Sequence, residues 1–119
     1  MYRLSRCRSA LLAVTSITLL AGCGSGAPSN RAQIGTLIRD EGARPATLCR
    51  HLTTGLLVRF GGMSSCLSRA ASVARDPSTH ATAVVVRGST ATATVMDRSG
   101  PRSITLVKRH GTWLISGVR

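Results

Sequence analysis

Eleven side chains carry the reactive chemistry of this 119-residue chain: Cys7, Cys23, Cys49 and Cys66, His51, His80 and His110, and the acids Asp40, Glu41, Asp76 and Asp97. Thiols serve as nucleophiles, metal ligands or halves of a disulfide, while histidines and carboxylates move protons. Asp40 and Glu41 fall at a helix end, Asp76 precedes Pro77, and Asp97 sits beside Arg98 at a strand end. All four read as caps and turn residues, away from the burial that tunes a carboxyl for proton transfer. His51 lies next to an apolar stripe and is the one histidine placed to turn inward. His80 falls in a polar loop and His110 in a tight turn, neither with a carboxylate nearby to orient it. Ser64 and Ser65 lack the Gly-x-Ser-x-Gly setting of a nucleophile elbow. Cys49, His51 and Cys66 suggest a metal site, yet no second CxxC or HxxxH supplies the four ligands that structural zinc takes. No Walker or dinucleotide fingerprint is present. The expectation is a chain with no catalytic residue, no metal and no cofactor.

The first cysteines have a different setting. Arg3, Arg6 and Arg8 precede an apolar run from Ala10 to Ala21, followed by Gly22 and Cys23. A positive start, a short apolar region and small residues at a cut site mark an export signal over residues 1–22. The run is shorter than the roughly 20 residues a bilayer span needs, and glycines follow it. Leu20-Ala21-Gly22-Cys23 resembles the lipobox of bacterial lipoproteins, whose cysteine receives a diacylglyceryl group and becomes the new N-terminus. That resemblance implies a protein lipid-anchored at Cys23, on the extracytoplasmic face of the cell membrane. Cys7 then leaves with the signal and Cys23 carries lipid, so Cys49 and Cys66 remain, and in an exported protein they most simply pair. Residues 23–30 form a lipidated tether, including the loose "GSGAPSN", which spans roughly 15 Å as a coil. Residues 31–119 form one small domain.

Sixteen basic residues against four acids give a formal charge of +12, and removing the three signal arginines leaves +9. Nucleic acid is not the expected partner: the exported chain keeps only Phe60 and Trp113 as aromatic platforms. Attraction to an anionic lipid or envelope polymer fits better, at about 1 kcal/mol per basic residue close to such a surface.

The elements that must position these side chains follow from periodicity. Ile34, Leu37 and Ile38 form one helical stripe ended by Gly42. Pro45 opens a second helix with a Leu48–Leu52 stripe, and Thr53 or Thr54 caps a short turn carrying Leu56, Leu57 and Phe60. Gly61-Gly62 ends it. Ser64 or Ser65 then caps a helix with Cys66 in its first turn, running through Leu67, Ala70, Ala71 and Ala74 to Asp76-Pro77. After Pro77 the period becomes two. One hairpin turns on Gly88-Ser89, pairing Val86 with Ala91, Val84 with Ala93 and Thr82 with Val95. A second turns on His110-Gly111, pairing Val107 with Leu114 and Leu106 with Ile115. Helices first and strands last predict an α+β domain, its helices packed on one face of a curved four-stranded antiparallel sheet.

Three helices, a four-stranded meander and a closing Gly111-x-Trp113-x-Ile115 resemble the nuclear transport factor 2-like (cystatin-like, SnoaL-like) superfamily of cone-shaped domains. Within it, "CRHLTTGLLVRFGGMSSC" is similar to the cysteine-bracketed helical segment of small bacterial lipoproteins. The resemblance implies a pocket on the concave sheet face, lined by Ile104, Leu106, Trp113 and Ile115 and roofed by Phe60 and Leu56. The same residues would otherwise make an ordinary core. The leading expectation is a lipid-anchored, non-catalytic binding or interaction domain. The alternatives are a small isomerase or cyclase using His51, and a membrane-proximal subunit of an envelope complex whose protein partner the sequence does not name.

Overall fold

The computed structural model describes residues 28–119. The expected export signal, the lipobox Leu20-Ala21-Gly22, Cys23 and most of the tether lie outside the described residues. Helix α1 spans Asn30–Ala43, one residue earlier than periodicity suggests, because the Ser29 hydroxyl accepts a hydrogen bond from the Ala32 amide. A cap of this kind is worth about 1 kcal/mol. The tether expected to run through Asn30 therefore stops short of Ser29. Ile34, Leu37 and Ile38 are buried, as their spacing predicts.

Pro45 begins α2, but this helix covers only Ala46–Cys49, so the expected Leu48–Leu52 stripe does not form. The chain extends instead alongside the last strand. Leu52 forms a parallel bridge to Ile115, the Thr53 amide donates to the Ile115 carbonyl, and the Ile115 amide donates to the His51 carbonyl. Extension satisfies buried backbone groups that a continued helix would leave facing an open sheet edge. Thr53 caps α3, Thr54–Arg59, through its side-chain oxygen. Gly61, at φ +90°, then reverses the chain within one residue, so α4 starts at once and runs Gly62–Ala71. Ser64 and Ser65 consequently lie inside α4 and Cys66 in its second turn, not its first. The helix stops well before Asp76. Cys66 is buried and Ala70 half-buried, whereas Leu67, Ala71 and Ala74 are exposed.

The four strands are β1 His80–Arg87, β2 Thr90–Asp97, β3 Gly100–Arg109 and β4 Thr112–Val118. They form one open antiparallel sheet in the order β1-β2-β3-β4. Gly88 carries a positive φ in the first hairpin, and His110 and Gly111 both do in the second, as two-residue turns demand. The Val86–Ala91, Val84–Ala93, Val107–Leu114 and Leu106–Ile115 pairs form as expected. Thr82 does not face Val95. A bulge at Thr82 gives that place to Ala81, and a second irregularity leaves Ser116 unpaired on β4.

The sheet's inner face buries Ala91, Ala93, Val95, Ile104, Leu106, Trp113 and Ile115 against the helices. Helix α1 lies against β1 and α3 against β4. The molecule is thus α+β, with four helices on an open four-stranded sheet. Among the described residues no helix is long and apolar enough to cross a membrane.

Candidate functional site

Cys49 at the end of α2 and Cys66 in α4 are joined, with Cα atoms 5.9 Å apart and both side chains buried. This link holds α2 and α4 together as one wall. The wall does not collapse onto the far end of the sheet, and a cavity of about 500 Å³ remains between them. That volume falls within the range of small-molecule sites. Leu48, Phe60, Ala70, Ile104 and Ile115 and the disulfide line its apolar part.

Its polar end is built from three separate segments. The C-terminal turn of α1 contributes Glu41 and the loop before β1 contributes Asp76. The β2–β3 hairpin contributes Asp97, Ser99 and Arg102. Three of the chain's four acids therefore meet at one cavity. Arg102 organises two of them, donating from Nη2 to Glu41 Oε1 at 2.9 Å and from Nη1 to Asp97 Oδ2. Asp97 Oδ1 accepts from the Ser99 amide, so the hairpin turn fixes this carboxylate. Asp76 Oδ1 accepts from the Ser78 amide and hydroxyl, and Oδ2 from the Arg98 amide. Gly42 makes the close approach of α1 possible: a Cβ there would fall 2.5 Å from the Asp76 carbonyl oxygen.

The carboxyls differ in character. The Ser78 hydroxyl, then the Arg98 amide, hold Asp76 at about 2, well below its ordinary 3.8. Glu41 moves the other way. Burial pushes its pKa up, Arg102 opposes that shift, and the neighbouring Asp97 adds to it. Its second oxygen, Oε2, is buried with no hydrogen-bond partner among the described residues. This corrects the expectation that all four acids are mere caps and turn residues. Asp76 and Asp97 are turn residues, and Asp40 pairs with Arg44 one helical turn on, but Glu41 is a buried group in a cavity wall.

The sequence-derived pocket residues divide. Phe60, Ile104 and Ile115 line the cavity. Leu106 is spent in the core, Leu56 is buried, and neither lines the cavity. Trp113 also points elsewhere: its indole Nε1 donates to Asn30 Oδ1 at 3.2 Å, which holds the ring under the start of α1. It lines a separate, narrower cleft of about 230 Å³ with His51 and Asp40. His51 Nδ1 lies 3.0 Å from the Thr47 carbonyl, which can only accept, so this nitrogen carries the proton. His51 does not line the large cavity.

Arg102 and Glu41 escaped sequence reasoning although a signal existed. Arg102 lies two residues before Ile104, on the inner face of its strand, and Glu41 continues the Ile34–Ile38 stripe. No family model, curated protein or solved structure matches this chain.

Proposed function

We propose that this chain is an exported, lipid-anchored and non-catalytic binding domain at the outer face of a bacterial membrane. In this reading its cavity takes a small, mostly apolar molecule with one hydrogen-bond-donating end, such as an amine or hydroxyl. The observation that carries it is the cavity of about 500 Å³ whose polar end holds Glu41, with one carboxyl oxygen unpartnered. A buried acceptor without a donor costs about 1–3 kcal/mol, and a ligand donor removes that cost after a small rotation of the carboxyl. The apolar lining supplies affinity and the carboxyl orientation, the usual division of labour in such sites. Anchoring through Cys23 is supported by the Leu20-Ala21-Gly22-Cys23 motif behind an arginine-led apolar run. A nuclear transport factor 2-like cone is supported by the order of helices then meander, and by a cavity between helices and sheet.

One observation favours a second reading. A buried carboxyl with a raised pKa is also what a proton-transferring enzyme presents, and Glu41 rather than His51 would carry that role. Native mass spectrometry of the gently purified chain tests the binding reading. A co-purifying small molecule is expected for the parent and should be absent from Ala70→Phe, which fills the cavity. Retention of the same molecule by Ala70→Phe would overturn it. Glu41→Gln separates the two readings, since a binding domain changes affinity whereas an enzyme loses turnover of the bound molecule.

A further inference from the structure

Arginines cover much of the domain, but three of its four acids gather at the large cavity, which leaves the opposite end of the sheet basic. Lys108 lies opposite Trp113 and Arg109 opposite Thr112 beside the His110-Gly111 turn. The first hairpin turns at the same end of the sheet, because the Lys108 amide donates to the Ser89 carbonyl, and this brings Arg87 to that end. Asn30 closes the arrangement. Its Oδ1 accepts from Lys108 Nζ at 2.9 Å and from the Trp113 indole, fastening the start of α1 and Arg31 to the same pole. Arg31, Arg87 and Arg109 are exposed.

None of these four cations has an ion-pair partner among the described residues: Glu41, Asp76 and Asp97 lie at the cavity end of the sheet, and Asp40, which shares the smaller cleft with Gly111, Thr112 and Trp113, is paired with Arg44. Asp40 sits about 15 Å along α1 from Asn30. Asp97 sits about 20 Å along β2 from Thr90. The acids are paired there with Arg44, Arg98 and Arg102. The basic pole is also where the chain joins the residues preceding the domain. Six residue steps separate Cys23 from Ser29, which span at most about 20 Å.

We propose that this pole, formed by Arg31, Arg87, Lys108 and Arg109, rests on the headgroups of an anionic bilayer. The large cavity is built at the other end of the sheet, and so faces away from the membrane. The inference rests on the lipid-anchored reading, which brings the pole within reach of the surface. An extended anionic polymer would have no reason to prefer the end at which the tether joins.

Trp113, the single tryptophan, lies at this pole and reports on it. The mature chain is reconstituted in phosphatidylcholine vesicles with and without phosphatidylglycerol, each doped with a headgroup-nitroxide lipid, and its fluorescence quenching is measured. Stronger quenching is expected in the anionic vesicles, weakening as salt is raised. Arg87→Gln with Arg109→Gln should lower the ratio of apposed to undocked molecules roughly fivefold per arginine. Arg119→Gln, at the other end of the sheet, should leave it unchanged. Equal quenching in neutral and anionic vesicles, or an equal loss with Arg119→Gln, overturns the proposal. Intact mass of the same sample isolates the anchor. An unmodified Cys23 sinks the anchored reading alone, while quenching that still depends on lipid charge supports the pole.

Discussion

Replacing both Cys49 and Cys66 by alanine tests how the cavity wall is held. The linked residues are 17 positions apart, so the bridge closes a loop of 18 residues. In the chain-entropy model such a loop contributes about 3 kcal/mol. For a domain of this size each kcal/mol moves the melting temperature by roughly 4–8 °C, giving an expected fall of roughly 12–24 °C. Both sulfurs are buried, so truncation adds a packing loss of the same sign. Reduction without mutation removes only the cross-link and should account for most of the shift. The assay is thermal unfolding of the purified chain, oxidised, reduced and doubly substituted, with two-state behaviour checked by two probes. A fall below about 5 °C in both the reduced and the substituted protein would show that neither entropy nor packing resides in this link.

Two further perturbations follow from the polar end and the pole. Asp76, held at about 2, contributes stability that is complete above its ordinary 3.8 and lost as pH falls through 2. Glu41 acts with the opposite sign: the folded chain binds its proton more tightly, so its contribution is complete below 4.5 and lost as pH rises through the raised value. Denaturation midpoints across this range should lose their acid limb in Asp76→Asn and their upper slope in Glu41→Gln, and a Glu41→Gln profile parallel to the parent would contradict the assignment. Asn30→Ala removes the acceptor shared by Lys108 and the Trp113 indole, with an expected cost of about 1–3 kcal/mol and a red-shifted Trp113 emission. An unchanged emission maximum would show that Asn30 does not hold the indole.

Local physics made much of the fold legible. The Ile34–Ile38 stripe, the Pro45 start and the Thr53 cap are all set by neighbours in sequence, as are the two tight turns. The departures are places where a distant partner decides. Leu52 leaves its helical stripe because β4 offers backbone partners at Ile115. Thr82 bulges, so the register beyond it slips by one residue. Trp113 turns from the cavity because its indole N–H donates to Asn30 Oδ1, far away in sequence.

The polar end of the cavity is the instructive case, because the spacing of the chain puts Arg102 and Glu41 at inward positions, and residue type alone passes over both. An arginine on an inward strand position and a glutamate on an inward helix stripe each look like errors when taken alone. Taken together they are a requirement. A buried guanidinium needs a carboxylate and a buried carboxylate needs a donor, so each inward charge predicts the other across the core. In a chain with only four acids the choice of partner for Arg102 is narrow. Asp97 is within reach across the hairpin, and Glu41 is the acid that continues a buried stripe. Two acceptors then face one guanidinium, which leaves Glu41 Oε2 unpartnered beside an open cavity. A structural ion pair alone would end with its oxygens satisfied or exposed to water. The unmet acceptor is what makes this cluster a candidate site.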